Sequence, residues 1–259
     1  MANAHGQFIW SELMTPDTDA AARFYSHVIG WQTKDFGSPG MDYTLVEADG
    51  VGVGGIMALE EDHRAEGIPP NWTRYVAVDD ADVTAARFEE NGGRIMRPPS
   101  DIPEIGRFAV VSDPAGAVLC IMKPLPMETG GFAQQQSMLN GHVGWNELLT
   151  DDVDSAIAFY GDVFGWTRDH DVDMGEMGAY RIFACNGQAV GGMMKRPPQL
   201  PVSYWGYYFN VDGIDDAIAR VSAGGGKVLN GPMPVPGGAW IANCQDPQEA
   251  AFSLASPRR

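Results

Sequence analysis

The fold is decided by Trp10-Ser11-Glu12-Leu13-Met14-Thr15, a stretch that leads into Phe24-Tyr25 and Gly30-Trp31. The chain contains a second copy of this stretch. The second copy reads Trp145-Asn146-Glu147-Leu148-Leu149-Thr150, followed by Phe159-Tyr160 and Gly165-Trp166. Glu12 and Glu147 are 135 residues apart, and the paired tyrosines and the paired later tryptophans have the same separation. A constant offset of this size indicates a duplicated domain rather than a short solenoid repeat.

Each copy predicts a strand, then a helix, then another strand. The first residues alternate between apolar and polar, as they do in a strand with one covered face. Apolar residues then recur at helical spacing, and Asp17 and Asp152 stand where N-caps are needed. Gly30 and Gly165 stand where each helix should end in a left-handed residue. A strand, a helix and three more strands can be traced twice in each half of the chain.

The first half also carries three local predictions. Ser38-Pro39-Gly40 predicts a turn, Glu60 to Asn71 an irregular polar crossover, and Arg94 to Met96 a strand.

The sequence therefore predicts an α+β protein with two tandem domains, each built from two βαβββ modules. We expect the first domain to span residues 1–125, a linker to span 126–141 and the second domain to span 142–259. Each domain is long enough to bury a core of its own. Hydrophobic residues make up 44% of the chain and charged residues 20%, which is typical of a soluble globular protein.

The charge balance restricts the possible partners. With 34 acidic and 17 basic residues, the net charge is -17, which argues against binding nucleic acid or an anionic membrane surface. The first residues lack a secretory signal, and no apolar run is long enough to span a bilayer, so we expect a cytoplasmic protein. Cys120, Cys185 and Cys244 are odd in number and widely spaced, which predicts buried, reduced thiols. A monomer and a homodimer both remain open.

At this point the motifs resemble those of the vicinal oxygen chelate superfamily, the group of glyoxalases, bleomycin-resistance proteins and extradiol dioxygenases. The first half carries Val78-Asp79-Asp80, Gly92-Gly93, Gly106-Arg107-Phe108-Ala109-Val110 and Asp113-Pro114-Ala115-Gly116. The second half departs at its end, with Ala239-Trp240-Ile241 and Asp246-Pro247-Gln248-Glu249. The tandem arrangement is most similar to two-domain bacterial members. The resemblance implies that the eight strands of each domain curl into a half-open cup that holds a ligand.

Members of this superfamily usually bind a divalent metal through His, Gln or Glu at three strand positions. In this sequence those positions hold Trp10, Thr73 and Cys120 in the first half, and Trp145, Gly206 and Ser253 in the second. Neither set suits a hard divalent cation. The five histidines lie elsewhere in the sequence, and we expect them to be surface residues. The sequence therefore predicts no metal ligands and no cofactor.

Glu12 and Glu147 are the candidate catalytic residues. Alternation places each carboxylate on the same strand face as a tryptophan, two residues away. An indole removes water from a neighbouring carboxylate, which raises its pKa toward the range of a general acid or base. The alternative is a structural role, with both glutamates paired to Arg74, Arg107 or a backbone amide. The sequence leaves both interpretations open.

The candidate binding residues are aromatic and would suit a flat, largely apolar organic molecule. They are Trp10, Tyr43, Tyr75, Trp145, Tyr180, Tyr204, Tyr208 and Trp240. Core packing is the alternative for each ring. Gly54-Gly55 and Gly191-Gly192 predict a bend in a sheet rather than a phosphate loop, because no helix follows them.

Two classes of function follow from these residues. The first is a metal-independent lyase, isomerase or hydroxylase-like enzyme that uses Glu12 or Glu147 as acid or base. The second is a protein that sequesters a small molecule without turnover. A divalent-metal-dependent glyoxalase or dioxygenase is a third interpretation, and it requires ligands at positions other than those counted above.

Overall fold

The computed structural model describes residues 5–36, 43–126 and 138–259. In the first repeat the elements are β1 (Phe8–Thr15), α1 (Thr18–Ile29), β2 (Gln32–Asp35), β3 (Tyr43–Ala48), β4 (Val51–Ala58), α2 (Glu61–Ala65), β5 (Asn71–Ala77), α3 (Ala81–Glu90), β6 (Arg94–Ile102), β7 (Gly106–Ser112) and β8 (Val118–Pro124). In the second they are β9 (Val143–Thr150), α4 (Val153–Phe164), β10 (Thr167–Asp173), a 3-10 turn (Gly175–Met177), β11 (Ala179–Cys185), β12 (Gln188–Lys195), β13 (Tyr204–Asn210), α5 (Ile214–Ala223), β14 (Lys227–Pro234), β15 (Trp240–Gln245) and β16 (Ala251–Ser256).

The strands form two eight-stranded mixed sheets, one for each repeat. The first has the order β2-β3-β4-β1-β5-β8-β7-β6, and the second has the matching order β10-β11-β12-β9-β13-β16-β15-β14. Within each βαβββ module, the first strand runs parallel to the last, as β1 does to β4 and β9 does to β12. The sheets are not closed. The prediction of an α+β fold with two βαβββ modules in each half-open cup is confirmed.

The first helix of each repeat, α1 or α4, begins and ends where the sequence predicted. Asp17 accepts a hydrogen bond from the amide of Ala20 at 2.8 Å, and α1 is followed by Gly30 in the left-handed conformation, with φ of 92°. Asp152 and Gly165 cap α4 in the same way. An aspartate at the N-cap satisfies an amide that the helix itself leaves unpaired.

Two elements differ from the prediction. The segment between β4 and β5, expected to be an irregular crossover, contains the short helix α2. The strand expected at Arg94–Met96 continues as β6 to Ile102. The turn predicted at Ser38-Pro39-Gly40 lies outside the described residues. Cys120, Cys185 and Cys244 are buried thiols that form no disulfide, as predicted.

The chain divides into two compact units, and each unit combines modules from both repeats. One unit comprises Met1–Ile9, Thr73–Gly131 and Trp145–Gly206, and the other comprises Trp10–Trp72, Phe132–Gly144 and Tyr207–Arg259. In the first unit the ring of Phe88 on α3 packs edge-on against Phe159 on α4, with centroids 5.1 Å apart. The predicted domain limits at residues 125 and 142 stay a prediction. Among the described residues, every helix is too short or too polar to cross a lipid bilayer.

Candidate functional site

Strand β1 presents two different faces. Ile9, Ser11 and Leu13 are fully buried, whereas Trp10 and Met14 on the opposite face keep part of their surface exposed. Glu12 shares the face of Trp10 and retains 9% of its accessible surface. This alternation places an indole and a carboxylate side by side on one strand face, where a molecule from solvent can reach the partly exposed indole.

Trp10, Tyr43 and Glu12 form a hydrogen-bonded group, the first Trp–Tyr–Glu triad. The indole Nε1 of Trp10 donates to the Tyr43 hydroxyl at 2.9 Å. The same hydroxyl donates to Oε2 of Glu12 at 3.2 Å. An indole N–H can only donate, so the phenol oxygen must accept from Trp10 and direct its own hydrogen to the carboxylate. The direction of both bonds is thereby fixed.

The second repeat builds the same group from Trp145, Tyr180 and Glu147, the second Trp–Tyr–Glu triad. Its indole-to-phenol bond is 2.7 Å and its phenol-to-carboxylate bond is 2.9 Å. All three side chains are half-buried. Both bonds are shorter than their counterparts in the first triad. Bonds that donate to an ionised carboxylate are among the stronger hydrogen bonds in proteins.

One glycine in each repeat makes room for the phenol. Tyr43 lies on β3, which is separated from β1 by β4, so its ring must cross β4 to reach Glu12. It crosses at Gly55, where a Cβ atom would overlap the phenol ring and its hydroxyl. Gly192 gives Tyr180 the same passage. The sequence suggested only a bend at these Gly-Gly pairs, and the position of the rings supplies a steric reason for a residue without a side chain.

The other glycine of each pair lies against a neighbouring backbone. A Cβ atom at Gly54 would stand 2.6 Å from the carbonyl oxygen of Ser11, and one at Gly191 would overlap the carbonyl oxygen of Asn146. In each pair one glycine faces a tyrosine ring and the other faces a backbone carbonyl, so a side chain at either position would collide.

Burial and charge keep the site phenols protonated. The pKa of Tyr43 lies well above its ordinary value because burial disfavours the phenolate and because the Glu12 charge repels it, while the bond from Trp10 acts in the opposite direction. Burial also raises the pKa of Tyr204 on β13, with a further contribution from the charge of Glu147. These phenols therefore act as hydrogen-bond donors at neutral pH.

The remaining predicted site residues have different surroundings. Tyr75 and Tyr208 each retain only 4% exposure, and Tyr75 packs against Phe108 with ring centroids 6.1 Å apart. Trp240 lies beneath the guanidinium of Arg259, whose Cζ is 5.0 Å from the ring centroid. These contacts are compatible with core packing, and the candidate binding role of the three rings stays a prediction.

The arginines suggested as structural partners of the glutamates make other bonds as well. Arg107 donates to Asp82 and to Asp101 at the surface, at 2.6 and 3.0 Å. Arg74 is fully buried, and its Nη1 donates to Oδ1 of Asn146 at 2.6 Å. Sequence pattern alone does not indicate that Asn146, which neighbours Glu147, binds a buried guanidinium.

The residues at the usual metal positions do not fit a divalent cation. Trp10 uses its indole N–H toward Tyr43, and Thr73 and Cys120 are a neutral hydroxyl and a buried thiol. Trp145, Gly206 and Ser253 offer still fewer ligand atoms. Within the described ranges, no three His, Cys, Asp or Glu side chains come together as a possible metal group. Hard cations prefer several charged or carbonyl oxygens, which neither set supplies.

One histidine is placed differently from the prediction. His142 was expected at the surface, but it is buried, with 6% exposure. Burial lowers the pKa of its imidazole, and the charge of Asp49 opposes this shift only in part. The prediction was wrong because a polar sequence context does not show that residues just before a strand can pack beneath it.

Comparison with known proteins identifies related sequences along the whole chain. A family model described as "Glyoxalase/Bleomycin resistance protein/Dioxygenase superfamily" matches residues 7–121 and 141–254. A Mycobacterium tuberculosis protein named "Putative glyoxylase CFP32" is 35% identical over 96% of this chain and 94% of its own length. "Anthracycline biosynthesis protein DauV" of Streptomyces sp. (strain C5) is 32% identical over 98% of this chain and 94% of its own length.

Solved structures show the same fold at lower sequence identity. A Mn(II)-bound glyoxalase from Novosphingobium aromaticivorans has a TM-score of 0.65 and 16% identity, covering 99% of this chain and 83% of that one. The 2,3-dioxygenase LapB from Pseudomonas sp. KL28 has a TM-score of 0.66 and 12% identity, covering 98% and 93%.

Proposed function

The chain belongs to the glyoxalase/bleomycin resistance protein/dioxygenase superfamily, and we propose that it binds a small, largely apolar or aromatic organic molecule beside its Trp–Tyr–Glu triads. We propose further that Glu12 or Glu147 exchanges a proton with a carbonyl, enol or hydroxyl group of that molecule. The observation that carries this proposal is the duplicated hydrogen-bond pattern from indole to phenol to carboxylate.

The triad supplies the two properties that an aromatic ligand requires. The partly exposed indole offers a flat apolar surface on which a ring can pack. The adjacent carboxylate offers a polar group at a fixed position, held by a phenol that stays protonated. Apolar walls with a few fixed polar groups are typical of small-molecule sites.

Proton transfer is the chemistry that these side chains can perform themselves. A carboxylate near an indole and a phenol can take a proton from a bound molecule and return it, as a general base and then a general acid. Such a step suits a lyase, an isomerase or a hydroxylase-like enzyme. Because the residues at the usual metal positions do not fit a divalent cation, we assign no step to a metal.

Sequestration without turnover is the second candidate. It is favoured by the way the phenol of each triad already donates to the carboxylate, since this arrangement can hold a polar ligand group without any reaction. The names of relatives from anthracycline biosynthesis fit an aromatic ligand under either candidate.

Replacing the glutamates distinguishes the two. Wild type, Glu12→Gln and Glu147→Gln would be titrated with 1-naphthol by calorimetry, and a panel of hydroxylated aromatic ketones would be followed by mass spectrometry. Glutamine keeps the shape and an acceptor oxygen but cannot take up a proton, so a catalyst loses turnover while its affinity changes by about threefold or less. The exposed Glu89 supplies the matched control, Glu89→Gln.

A sequestering protein would show binding without turnover in wild type and in all three variants. If wild type neither binds nor converts any aromatic compound of the panel, the proposal is wrong under both candidates.

A further inference from the structure

The two triads have different neighbours on the fifth strand of their sheets. Tyr75 on β5 pairs with Cys120, and Tyr208 on β13 pairs with Ser253, so the two strands correspond at an offset of 133 residues. At that offset Tyr204 corresponds to Asn71. The charge of Glu147 acts on the Tyr204 phenol, whereas the amide of Asn71 donates to the carbonyl of Pro69 in its own loop.

Gly206 lies between Tyr204 and Glu147, and packing does not require a glycine at this position. A Cβ atom there would stand 3.6 Å from Cε2 of Tyr204 and 3.8 Å from the carbonyl oxygen of Glu147, which are ordinary contact distances. Its backbone conformation is also open to other residues, because its φ is not positive. Gly191 and Gly192 differ, since a side chain at either would overlap its neighbours.

The residue that corresponds to Gly206 in the first repeat is Thr73, whose side chain is buried with 6% exposure. A residue with a side chain is therefore compatible with this strand position. Its absence at Gly206 leaves room for an added atom in ordinary contact with the phenol ring of Tyr204 and with the strand that carries Glu147. A glycine within a strand can mark a bulge, a tight bend or the close approach of a ligand or another backbone.

We propose that the second triad is the proton-transfer site, that Gly206 sets the size of its ligand and that Tyr204 contacts the ligand's oxygen. This inference rests on the proposed function and names the ligand class, an aromatic ring that carries a hydroxyl group. The O–H bond of the ligand breaks, its electron pair stays on the ligand oxygen, and the proton passes to the Glu147 carboxylate. The Tyr204 hydroxyl donates a hydrogen bond to the oxyanion that forms, as donors do in oxyanion holes.

Two substitutions test this assignment with 1-naphthol and naphthalene as probes. Tyr204→Phe should weaken 1-naphthol binding at one site by about tenfold, the scale of one lost hydrogen bond, and leave naphthalene binding unchanged. Gly206→Ala adds a single methyl group at ordinary contact distance from Tyr204 and Glu147, so the fold should be retained while both probes bind this site about tenfold more weakly.

Gly52→Ala is the matched control for Gly206→Ala. A Cβ atom at Gly52 would lie 3.5 Å from the Trp10 ring, beside the first triad, so this variant should leave the second site unchanged. Calorimetry gives affinity and stoichiometry, and the urea midpoint reports the fold. Wild-type binding that is unaffected by both Tyr204→Phe and Gly206→Ala would overturn this inference alone. Wild type that binds neither probe would instead contradict the proposed function.

Discussion

The hydroxyl of Tyr25 donates a 3.0 Å hydrogen bond to the carboxylate of Asp246, although the two residues are 221 positions apart in the sequence. The same hydroxyl accepts a bond from the indole of Trp72 at 2.9 Å. In the other compact unit, Tyr160 donates to Asp113 at 3.0 Å. The Phe-Tyr motif of each repeat is thus bonded to the Asp-Pro motif of the other.

Removing this hydroxyl should destabilise the protein. Tyr25→Phe keeps the ring and its contacts with Trp31 and Phe252. It removes the bond to Oδ2 of Asp246 and the acceptor of the Trp72 indole N–H, while Oδ1 of Asp246 keeps its two backbone amide bonds. Losing a hydrogen bond to such buried groups costs about 1–3 kcal/mol. We expect the urea midpoint to fall by a corresponding amount, and Tyr160→Phe to behave alike. An unchanged midpoint would show that neither bond contributes to stability.

Separated repeats should not fold as independent domains. Residues 1–125 contain Tyr25 but not Asp246 or Phe252, so this fragment would expose rings and a hydroxyl that are buried in the full chain. We expect fragments 1–125 and 142–259 each to lack a cooperative unfolding transition when alone and to regain one when mixed. Circular dichroism during heating measures this. A cooperative transition in either fragment alone would support the domain limits predicted from the sequence.

The sequence predicted the parts of the site that depend on local pattern. Alternation placed Trp10 and Glu12 on one strand face, because the side-chain period of a strand does not depend on its neighbours. The bond from Tyr43 to Glu12 depends instead on strand order, since β4 lies between their strands and Gly55 must allow the ring to pass. Periodicity carries no information on strand order, so the triads could not be derived from it.

The same limit applies to contacts between the repeats. The sequence showed Tyr25 and Tyr160 only as parts of a repeated motif at helical spacing, and both are fully buried in the structure. Their carboxylate partners Asp246 and Asp113 were known only as parts of a motif. A sequence without homologous sequences to compare does not show which distant residues approach each other, so the exchange of bonds between the repeats became visible only in the structure.

A side chain at Gly192, where the Tyr180 ring crosses β12, should disrupt the second triad. Gly192→Ala places a methyl group inside the space of the Tyr180 ring, so the phenol must move away from Glu147. We expect a loss of about 1–3 kcal/mol in stability, as for other overpacked positions, together with weaker 1-naphthol binding. Gly52→Ala, which meets no close contact in the first repeat, is the control for stability. Equal midpoints for the two variants would contradict the steric role assigned to Gly192.

His142 should make the protein less stable at mildly acidic pH. Burial lowers the pKa of its imidazole in the folded state below the ordinary value of 6.5, so the unfolded chain binds the proton more readily. The stability that this histidine contributes to the folded state is therefore present above pH 6.5 and is lost as the pH falls through the folded pKa.

His142→Gln tests this effect, because it introduces the residue found 135 positions earlier, Gln7, which does not titrate. As the pH is lowered from about 8 to 5, the urea midpoint should fall less steeply for His142→Gln than for wild type. The control His27→Gln, at an exposed position, should match wild type. Parallel curves for wild type and His142→Gln would show that the proton uptake occurs elsewhere.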